Sequence, residues 1–464
     1  MSGRNVVLLV VDSLRAQSLG ETDACPRTPF LHQLGEETLA YRRAYATECW
    51  TLPTHVSMFT GRLPSSHGAH FQSMGYVRPE PTLAEVLSAA GYSTDLVTRN
   101  FVFDGTIPGI VRGFQRRHRP LAPGSRANLA GVLLTLAKPR VRRYIRRTGF
   151  FHPRHSDARA FVTTFARSLL PADDLALARV LEVMERGRRR RRPYFVCCNL
   201  YDVHAPYPPA RDSLFGPWRS LRGVADNVML PIQLARLGQH AYLRDGFHVS
   251  AQAHRALRDR YHAAIGLMDE KLAAFYDTAR ACKLLDDTVL IITSDHGEAF
   301  GEHGLYLHDA SVFNTHLHVP LWIRHPDLAP AAIEDVVSTR DLFGLIRAVA
   351  RRERLDETIV DADYRARHSI ALAEHFYYPR LTDAAPRFRQ NLIAAVSHSS
   401  KVILRGDSVL HYDLLADPAE RAPTPEPLEA FARSCRAAGA STHAANAAVA
   451  HLKRFAAGLV RAAA

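Results

Sequence analysis

The chain has 464 residues, 47% of them apolar and 23% charged, which excludes wholesale disorder and allows one large α/β domain with a smaller appendage. No apolar run reaches the length of a membrane-spanning helix, and the short run that begins at Val6 lacks the cleavage site of a signal peptide. Six cysteines without regular spacing argue against a disulfide framework or a zinc module, so we expect a soluble, cytoplasmic protein.

The net charge of +13 comes mainly from arginine. Such a balance favours an anionic substrate or an anionic surface, although an arginine-rich composition also produces it without any partner. The net charge therefore indicates an anionic partner only where particular residues also predict an anion-binding site.

The first predicted element is a strand over residues 6–11, because a continuous apolar run is typical of a strand buried on both faces of a parallel sheet. It delivers Asp12 to the carboxyl edge of the sheet, where open α/β sheets place their functional sites. Asn100 follows another predicted strand, at residues 93–98, and either faces a substrate or belongs to a plain turn. Helices are predicted at residues 28–39 and 82–90.

A hydroxyl group stands at the start of a further predicted helix. Pro53 suits the first turn of a helix that begins near Thr51, and Gly61 lies where a C-terminal capping glycine is expected. A hydroxyl at that entrance faces unpaired backbone N–H groups and the positive end of the helix dipole. Both favour an anionic ester and the charge that develops when the ester is attacked, so we interpret Thr51 as a nucleophile.

Residues 105–155 form a basic insertion around a short apolar stretch at residues 127–137. Three interpretations stay open: a lid that steers anionic substrates, an amphipathic segment on a membrane surface, and a solvated insertion with a small apolar face. The arginine run at residues 188–192 resembles a nucleic-acid patch, but no aromatic interleaving accompanies it, and we expect a solvated loop without a nucleic-acid partner.

Two further buried strands bring polar residues to the same edge of the sheet. Asp295 and His296 follow a predicted strand at residues 288–293, and His204 follows one at residues 194–199. The clearest helix and another central strand are predicted at residues 251–283 and 319–323.

The texture of the sequence changes after about residue 365. Short alternating runs predict a small antiparallel sheet, and the alanine-rich tail from Pro427 predicts one or two helices. We therefore divide the chain into a main domain, residues 1–364, which includes the basic insertion, and a C-terminal subdomain, residues 365–464. The predicted strands of the subdomain lie at residues 370–374, 391–396, 401–404 and 410–413.

Several motifs resemble those of the sulfatase branch of the alkaline phosphatase superfamily. The resemblance covers residues 5 to about 100 and 193 to about 425, and it implies an alkaline-phosphatase-like α/β fold. In that fold a mixed, mostly parallel sheet lies between helix layers, beside a small C-terminal α+β subdomain. The motifs are Thr51-Leu52-Pro53-Thr54-His55 with Thr60-Gly61-Arg62, Asp202-Val203-His204-Ala205-Pro206-Tyr207, Ser294-Asp295-His296-Gly297-Glu298 with Gly301-Glu302-His303-Gly304, and Tyr412-Asp413-Leu414-Leu415-Ala416-Asp417-Pro418-Ala419-Glu420.

The sequence departs from the family pattern at the nucleophile. Thr51 takes the position of the cysteine that sulfatases convert to formylglycine, and His55 takes that of an arginine. Cys49 comes two residues too early to replace that cysteine. Formylglycine is therefore not expected. Ser13 likewise replaces a second carboxylate beside Asp12.

The resemblance implies one divalent metal ion held by Asp12, Asp295, His296 and the oxygen of Thr51. Imidazole among the ligands favours manganese or zinc, with magnesium as an alternative, whereas all-oxygen sites in the family favour calcium. All four metals remain open.

The resemblance also implies roles for several histidines. His204 is the first choice for protonating the leaving oxygen and His308 the second, and both are expected to contact the substrate together with Asn100. His55 is expected to orient Thr51 or to contact the ester. His67, in Ser65-Ser66-His67-Gly68, is interpreted as structural rather than catalytic.

The predicted function is hydrolysis of a small anionic sulfate or phosphate ester. Threonine favours phosphorus, because a formylglycine hydrate can expel sulfate by collapse whereas a sulfated threonine has no such exit. Two alternatives stay open: a phosphotransferase, and a sulfatase-like fold that has lost turnover and serves as a binding or scaffold protein. The sequence leaves the oligomeric state open.

Overall fold

The computed structural model of the protein describes residues 3–20, 26–120, 173–205, 207, 249, 251–308, 310–379 and 386–463. Within these ranges the strands are β1 (Asn5–Val11), β2 (Leu39–Tyr45), β3 (Ser93–Thr98), β4 (Arg116–His118), β5 (Tyr194–Leu200), β6 (Thr288–Thr293), β7 (Ala299–Phe300), β8 (Tyr306–Leu307), β9 (His318–Arg324), β10 (Ala331–Ser338), β11 (Ala371–His375), β12 (Leu392–Val396), β13 (Ser400–Arg405) and β14 (Ser408–Asp413). The α-helices are α1 (Pro29–Glu37), α2 (Thr51–Thr60), α3 (Pro64–His67), α4 (Leu83–Ala89), α5 (Asp173–Arg190), α6 (Ala251–Ala281), α7 (Asn314–Leu317), α8 (Leu342–Arg351), α9 (Ala362–Arg367), α10 (Leu428–Ala437) and α11 (Thr442–Ala463).

The main sheet has eight strands among the described residues, in the order β10-β2-β9-β6-β1-β5-β3-β4. β9 runs antiparallel to both of its neighbours, β2 and β6, and every other neighbouring pair is parallel. The mixed, mostly parallel sheet expected from the sequence is confirmed. β1, β5 and β6 are adjacent, so their carboxyl ends meet at one edge.

Helices cover both faces of this sheet. Alternate residues of a strand point to opposite faces, so one strand contributes to the apolar core on each side. Val7 and Leu9 of β1 belong to the apolar cluster that includes residues of α1, α5 and α6. Val6 and Leu8 belong to the cluster that includes residues of α2, α4 and α8. β1 is therefore buried on both sides, which explains its uninterrupted apolar sequence.

A second, four-stranded antiparallel sheet has the order β11-β12-β13-β14. One of its faces, with Ala394 and Ile403, packs against residues of the main domain such as Val336. Its other face, with Ile393, packs against Phe431 of α10 and against α11. A small C-terminal β-sheet domain is thus present, as predicted.

The structure also contains main-sheet strands that the sequence did not predict. β2 carries the more exposed Arg42 and Arg43 in the middle of the strand, and β10 carries the exposed Glu334 and Asp335. These charges interrupt the apolar runs by which buried strands are recognised. Both strands lie at the β10 end of the sheet, where one side remains partly open to solvent.

The first part of the predicted basic insertion lies in the main domain. Arg116 begins β4, which pairs with β3, and its guanidinium is paired with Asp95. Arg112 pairs with Glu85 at the start of α4. Residues 121–155 of the insertion lie outside the described residues.

The arginine run 188–192 does not form a loop throughout, because its first three residues complete the last turn of α5. Arg188 and Arg189 pair with Glu185 on the same helix. Within the described part of the chain, no helix is both long and apolar enough to cross a membrane. The predicted membrane-surface contact of the basic insertion falls mainly on residues 121–155 and stays a prediction.

Candidate active site

The adjacent ends of β1 and β6 bring two carboxylates and an imidazole together. Asp12 follows β1, and Asp295 and His296 follow β6. All three side chains are buried, and each offers one ligand atom such that these atoms lie within 4.8 Å of one another. Nε2 of His296 is 3.5 Å from Oδ2 of Asp295 and 3.7 Å from Oδ1 of Asp12. The structure therefore brings Asp12 to Asp295 and His296, which lie more than 280 positions later in the sequence.

The hydrogen bond of its other ring nitrogen defines the tautomer of His296. Nδ1 lies 2.9 Å from the carbonyl oxygen of Gly297 and donates its proton to it. Nε2 then carries the lone pair of the neutral ring and faces the two carboxylates. In a metal-binding histidine, one ring nitrogen usually bonds a backbone carbonyl and orients the ring, and the other faces the metal.

Thr51 is the first residue of α2, as the sequence predicted, with Trp50 at the N-cap position. Its Oγ1 lies 3.5 Å from Nε2 of His296. The helix ends at Gly61, whose φ of 69° lies in the left-handed region that favours glycine. The helix thus holds the hydroxyl beside the cluster of Asp12, Asp295 and His296.

His55 lies one turn further along α2 and is fully buried. Its Nδ1 donates to the main-chain oxygen of Thr51 at 2.9 Å and lies 3.6 Å from Oδ2 of Asp295. Burial lowers the pKa of His55 to about 4. The contact with Thr51 involves the backbone rather than the hydroxyl, and the predicted orienting or ester-binding role stays a prediction.

Amide side chains hold the Asp12 carboxylate in place. Asn100 and Asn199 donate to its Oδ2, at 2.9 and 3.1 Å, and the hydroxyl of Ser13 donates to its Oδ1 at 3.1 Å. The side-chain oxygen of Asn100 accepts from the amide of Val102. Asn100 is therefore engaged with a carboxylate and a turn, and the substrate contact predicted for it remains a prediction.

The ring of His308 packs against those of both His296 and His204. Its centroid lies 4.5 Å from that of His296 and 4.8 Å from that of His204, and both pairs of rings are tilted. Nδ1 of His308 donates to the buried carboxylate of Glu298 at 3.0 Å. The other oxygen of Glu298 accepts from Tyr207 at 2.8 Å. The structure therefore brings both predicted histidines to the site.

An ion-pair cluster fixes the loop that carries His204. Arg99 pairs with Asp202 and, at 3.3 Å, with Asp173, and Lys271 pairs with Asp202 at 2.7 Å. The backbone amides of Asp173 and Asp202 each donate to the carboxylate of the other residue. These contacts join the ends of β3 and β5 to α5 and α6, so the position of His204 depends on residues from four elements.

The electrostatics of the metal-free site are unfavourable. Burial, together with the neighbouring Asp12, raises the pKa of Asp295 well above its usual range. Burial alone would raise the pKa of Asp12 too, but the surrounding histidines and Asn199 outweigh burial and lower it. Burial lowers the pKa of both His296 and His204. Two carboxylates in contact with neutral imidazoles form a site that a cation would stabilise.

A buried carboxylate oxygen supports a cation at this position. Oδ2 of Asp295 is buried without a hydrogen-bond partner, although buried polar groups are normally paired. The Nε2 of His296 faces carboxylate oxygens and lacks a proton to donate. A donor set of two carboxylates, one imidazole and one hydroxyl suits a divalent ion such as Mn²⁺ or Zn²⁺, so these residues fit a metal.

Sequence reasoning missed Asn199 and Glu298 as site residues. Asn199 is a polar residue near the carboxyl end of an apolar strand, and Glu298 stands inside the motif that begins at Ser294. These positions in the sequence could have identified both residues as members of the site. The pairing of Glu298 with His308 could not be predicted, because the intervening loop determines it.

His67 lies away from this group. Its Nδ1 accepts from the amide of Ala69 at 3.0 Å, and its Nε2 bonds the hydroxyl of Ser57 at 3.0 Å. Ser57 in turn accepts from Thr47. These bonds connect α2 to α3, in keeping with the structural role predicted for His67.

Comparison with known proteins places this arrangement in context. A family model described as Sulfatase matches residues 4–116 and 142–350. Choline-sulfatase from Rhizobium meliloti (strain 1021) is 27% identical over 340 residues, which cover 70% of this chain and 63% of the relative. Iduronate 2-sulfatase from Homo sapiens is 23% identical over 365 residues, which cover 68% and 58%. The chain spans about three fifths of the length of these relatives.

Solved structures resemble the fold over most of the chain. A phosphonate monoester hydrolase from Silicibacter pomeroyi superposes with a TM-score of 0.61 and 17% identity, covering 90% of this chain and 92% of that one. The phosphonate monoester hydrolase of Agrobacterium radiobacter gives a TM-score of 0.58 and 20% identity, covering 90% and 91%. At these identities the similarity concerns the fold.

Proposed function

The chain belongs to the sulfatase family of the alkaline phosphatase-like superfamily, and we propose that it is a metal-dependent hydrolase that cleaves an anionic ester through Thr51. The observation that carries the proposal is the position of the Thr51 hydroxyl. It stands at the N-terminus of α2, 3.5 Å from Nε2 of His296 and beside the Asp12 and Asp295 carboxylates. No cysteine occupies the position of the family nucleophile.

Asp12, Asp295, His296 and the Thr51 oxygen would hold the metal ion. When bound, the ion neutralises the two carboxylates, lowers the pKa of the threonine hydroxyl and balances the negative charge of the ester. The chain itself supplies the orientation. Asn100, Asn199 and Ser13 fix Asp12, and the Gly297 carbonyl fixes the ring of His296.

Oγ1 of Thr51 first releases its proton to solvent, from which His204 takes up the proton that it later donates. The oxygen then attacks phosphorus or sulfur in line with the leaving oxygen. A bond from threonine oxygen to the central atom forms as the bond to the leaving oxygen breaks. The leaving alkoxide takes a proton from His204, which we assign as general acid. Burial lowers the pKa of His204 in the free protein, and an adjacent anionic ester would raise it and favour the charged form.

His308 would contact the charged oxygens of the ester. Its bond to Glu298 places a carboxylate on one ring nitrogen and orients the ring. Backbone N–H groups at the start of α2 would add to the same charge stabilisation. Water then attacks the covalent enzyme, and the threonine oxygen leaves with the proton that water releases.

We assign the ester to phosphorus rather than sulfur. Direct attack of water on phosphothreonine completes the cycle, whereas sulfothreonine lacks the carbonyl-forming exit that a formylglycine hydrate provides. Transfer of the phosphoryl group to a second alcohol would use the same covalent enzyme, so phosphotransfer is the second candidate. The complete set of Asp12, Asp295, His296, His204 and Thr51 in one place disfavours a scaffold without turnover.

The test is a screen of the purified protein with an aryl phosphate monoester, a phosphate diester, a phosphonate monoester and an aryl sulfate, with Mn²⁺, Zn²⁺ or Ca²⁺ added. We expect turnover of a phosphorus ester, which Thr51→Ala reduces on the order of 10⁴-fold or more and Thr51→Ser partly retains. Thr60→Ala, at the opposite end of α2, is the matched control and keeps activity. Turnover that survives Thr51→Ala would refute the nucleophile assignment.

A further inference from the structure

Three buried side chains with metal-binding donor atoms meet just before the nucleophile. Glu48 and Cys49 precede α2, and His375 ends β11 of the small sheet. The amide of Glu374 donates to the carbonyl oxygen of Thr47 at 2.9 Å, which holds the two segments side by side. Glu48 and Cys49 are inaccessible to solvent, and His375 is only 2% exposed.

The donor atoms of these residues lie close together. One atom from each of Glu48, Cys49 and His375 fits within a mutual distance of 4.8 Å. Nδ1 of His375 lies 2.9 Å from Oε1 of Glu48 and 3.6 Å from Sγ of Cys49. Oε1 also accepts from the amide of Cys49 at 3.0 Å, while the second oxygen, Oε2, is buried without a hydrogen-bond partner.

Aromatic side chains pack beside the cluster. The ring of Trp50 stacks on Phe71 at 4.1 Å, and Phe71 meets His375 edge to face at 6.1 Å. Apolar neighbours of this kind exclude water and strengthen the interaction between a cation and its charged ligands. It also makes an unpaired carboxylate oxygen costly, which is the condition of Oε2 of Glu48 without a cation.

We propose that Glu48, Cys49 and His375 form a second metal site, for a zinc-class ion, distinct from the site of Asp12, Asp295 and His296. Thiolate, imidazole and carboxylate are the three ligand types that Zn²⁺ takes in proteins. Binding would release the thiol proton of Cys49 and shift the imidazole proton of His375 from Nδ1 to Nε2. The ion would tie the segment that leads into Thr51 to the C-terminal sheet.

Sulfur distinguishes this site from the catalytic one. None of the proposed catalytic ligands contains sulfur, and Cys197, Cys198 and Cys435 are buried. A thiolate signature in a metal spectrum therefore reports on Cys49 once Cys25 and the exposed Cys282 are replaced. Cobalt(II) is the suitable probe, because it occupies zinc sites and gives a near-ultraviolet charge-transfer band when a thiolate coordinates it.

The experiment compares the metal content and cobalt spectrum of the full chain carrying both Cys25→Ser and Cys282→Ser, called the Cys282→Ser protein below, with those of further variants. We expect two ions per chain and a thiolate-to-cobalt band in the Cys282→Ser background. Adding Cys49→Ser or His375→Gln should remove one ion and the band. Adding Asp295→Asn should remove the other ion and leave the band intact.

X-ray absorption of the zinc-loaded Cys282→Ser protein gives a second readout that needs no ligand variant. A shell of sulfur at about 2.3 Å from zinc is expected. A Cys282→Ser protein that binds one ion, without the cobalt band and without a sulfur shell, would overturn the proposal and leave the cluster as a hydrogen-bonded contact. Because this result comes from the chain with all the proposed ligands in place, poor folding of a variant cannot obscure it.

Discussion

Two clusters of buried charge lie side by side at the carboxyl edge of the main sheet, and they differ in how their carboxylates are neutralised. In the cluster around Asp202, the carboxylates of Asp173 and Asp202 meet Arg99 and Lys271. In the cluster around Asp295, the carboxylates of Asp12 and Asp295 lie near neutral histidine rings. One oxygen of Asp295 has no hydrogen-bond partner. Both clusters are almost completely shielded from solvent.

This difference separates a structural cluster from a binding site. Arginine and lysine neutralise the buried carboxylates of the first cluster within the protein, and this cluster positions the loop of His204. A buried carboxylate that faces hydrogen-bond acceptors keeps an uncompensated negative charge, which a cation bound from solution would neutralise. Removing a carboxylate should therefore lower the free energy of unfolding in the first cluster and raise it in the second.

The largest effect on stability is expected from Asp202→Asn. It removes the charge opposite Arg99 and Lys271, and breaking a buried ion pair from one side costs about 3–5 kcal/mol of unfolding free energy. Urea denaturation measures the loss. Asp174→Asn is the matched control, since Asp174 is 64% exposed and pairs with the same Lys271 at 3.6 Å. The control should cost less than about 1 kcal/mol, and equal losses would refute the contrast.

Asp295→Asn should have the opposite effect in the metal-free protein. Removing one of two coupled carboxylates relieves an unpaired buried oxygen, a gain of about 1–3 kcal/mol. In the wild type, an ion at Asp295 should add about 2.7 kcal/mol at a concentration one hundred times its dissociation constant. The variant should lack this contribution and keep only that of an ion at Glu48, Cys49 and His375.

Denaturation with and without a chelator measures both parts of this prediction. Asp269→Asn is a suitable control, because Asp269 is also buried but accepts from two backbone amides at the start of α1. It should lose stability and keep the response to metal. A metal response that Asp295→Asn leaves undiminished would show that Asp295 holds no ion.

The buried His67 should make the free energy of unfolding depend on pH. Burial lowers the pKa of His67 to about 3, and its Nδ1 already accepts from Ala69, so a proton there would break that bond. The unfolded chain binds the proton near pH 6.5. The stabilisation is therefore complete above that value and declines as the pH falls toward 3, by about 2 kcal/mol at pH 5.

The measurement is the difference in unfolding free energy between pH 7 and pH 5 for wild type and His67→Gln. The variant should lose less stability on acidification. His32→Gln, at an exposed position, should leave the wild-type profile unchanged. Identical profiles for wild type and His67→Gln would contradict the prediction.

The smallest effect is expected from Asn100→Ala, which removes one of two amide donors to Asp12. Loss of a residue that orients a ligand lowers metal affinity by roughly 10-fold, and Asn199 remains to limit the damage. Competition with a chelating dye measures the dissociation constant. Asn391→Ala, whose amide contacts Gln72 and Tyr377, should leave it unchanged.

The sequence predicts the strands that carry the site because their apolar runs are uninterrupted. β1 and β6 are buried on both faces, so Asp12 and Asp295 stand out as the first acidic residues after them. β2 and β10 could not be recognised in this way, since each has solvent-facing charges within it.

The parts of the site that escaped prediction depend on contacts between distant segments. Glu298 meets His308 through the geometry of a loop, and Glu48 meets His375 across 327 positions of sequence. Neither pair has a periodicity or spacing to reveal it. The apolar runs of single strands pointed to Asp12 and Asp295 as candidate site residues, whereas only the folded chain shows which residues support them.

The hydrogen bond between Glu374 and Thr47 has a consequence for how the protein matures. During synthesis the nucleophile segment leaves the ribosome long before β11, which must pair with β12 and dock before that bond can form. A growing polypeptide would therefore carry Thr51 without its final support for most of its translation. The activity proposed for Thr51 should therefore arrive as one of the last events of biogenesis.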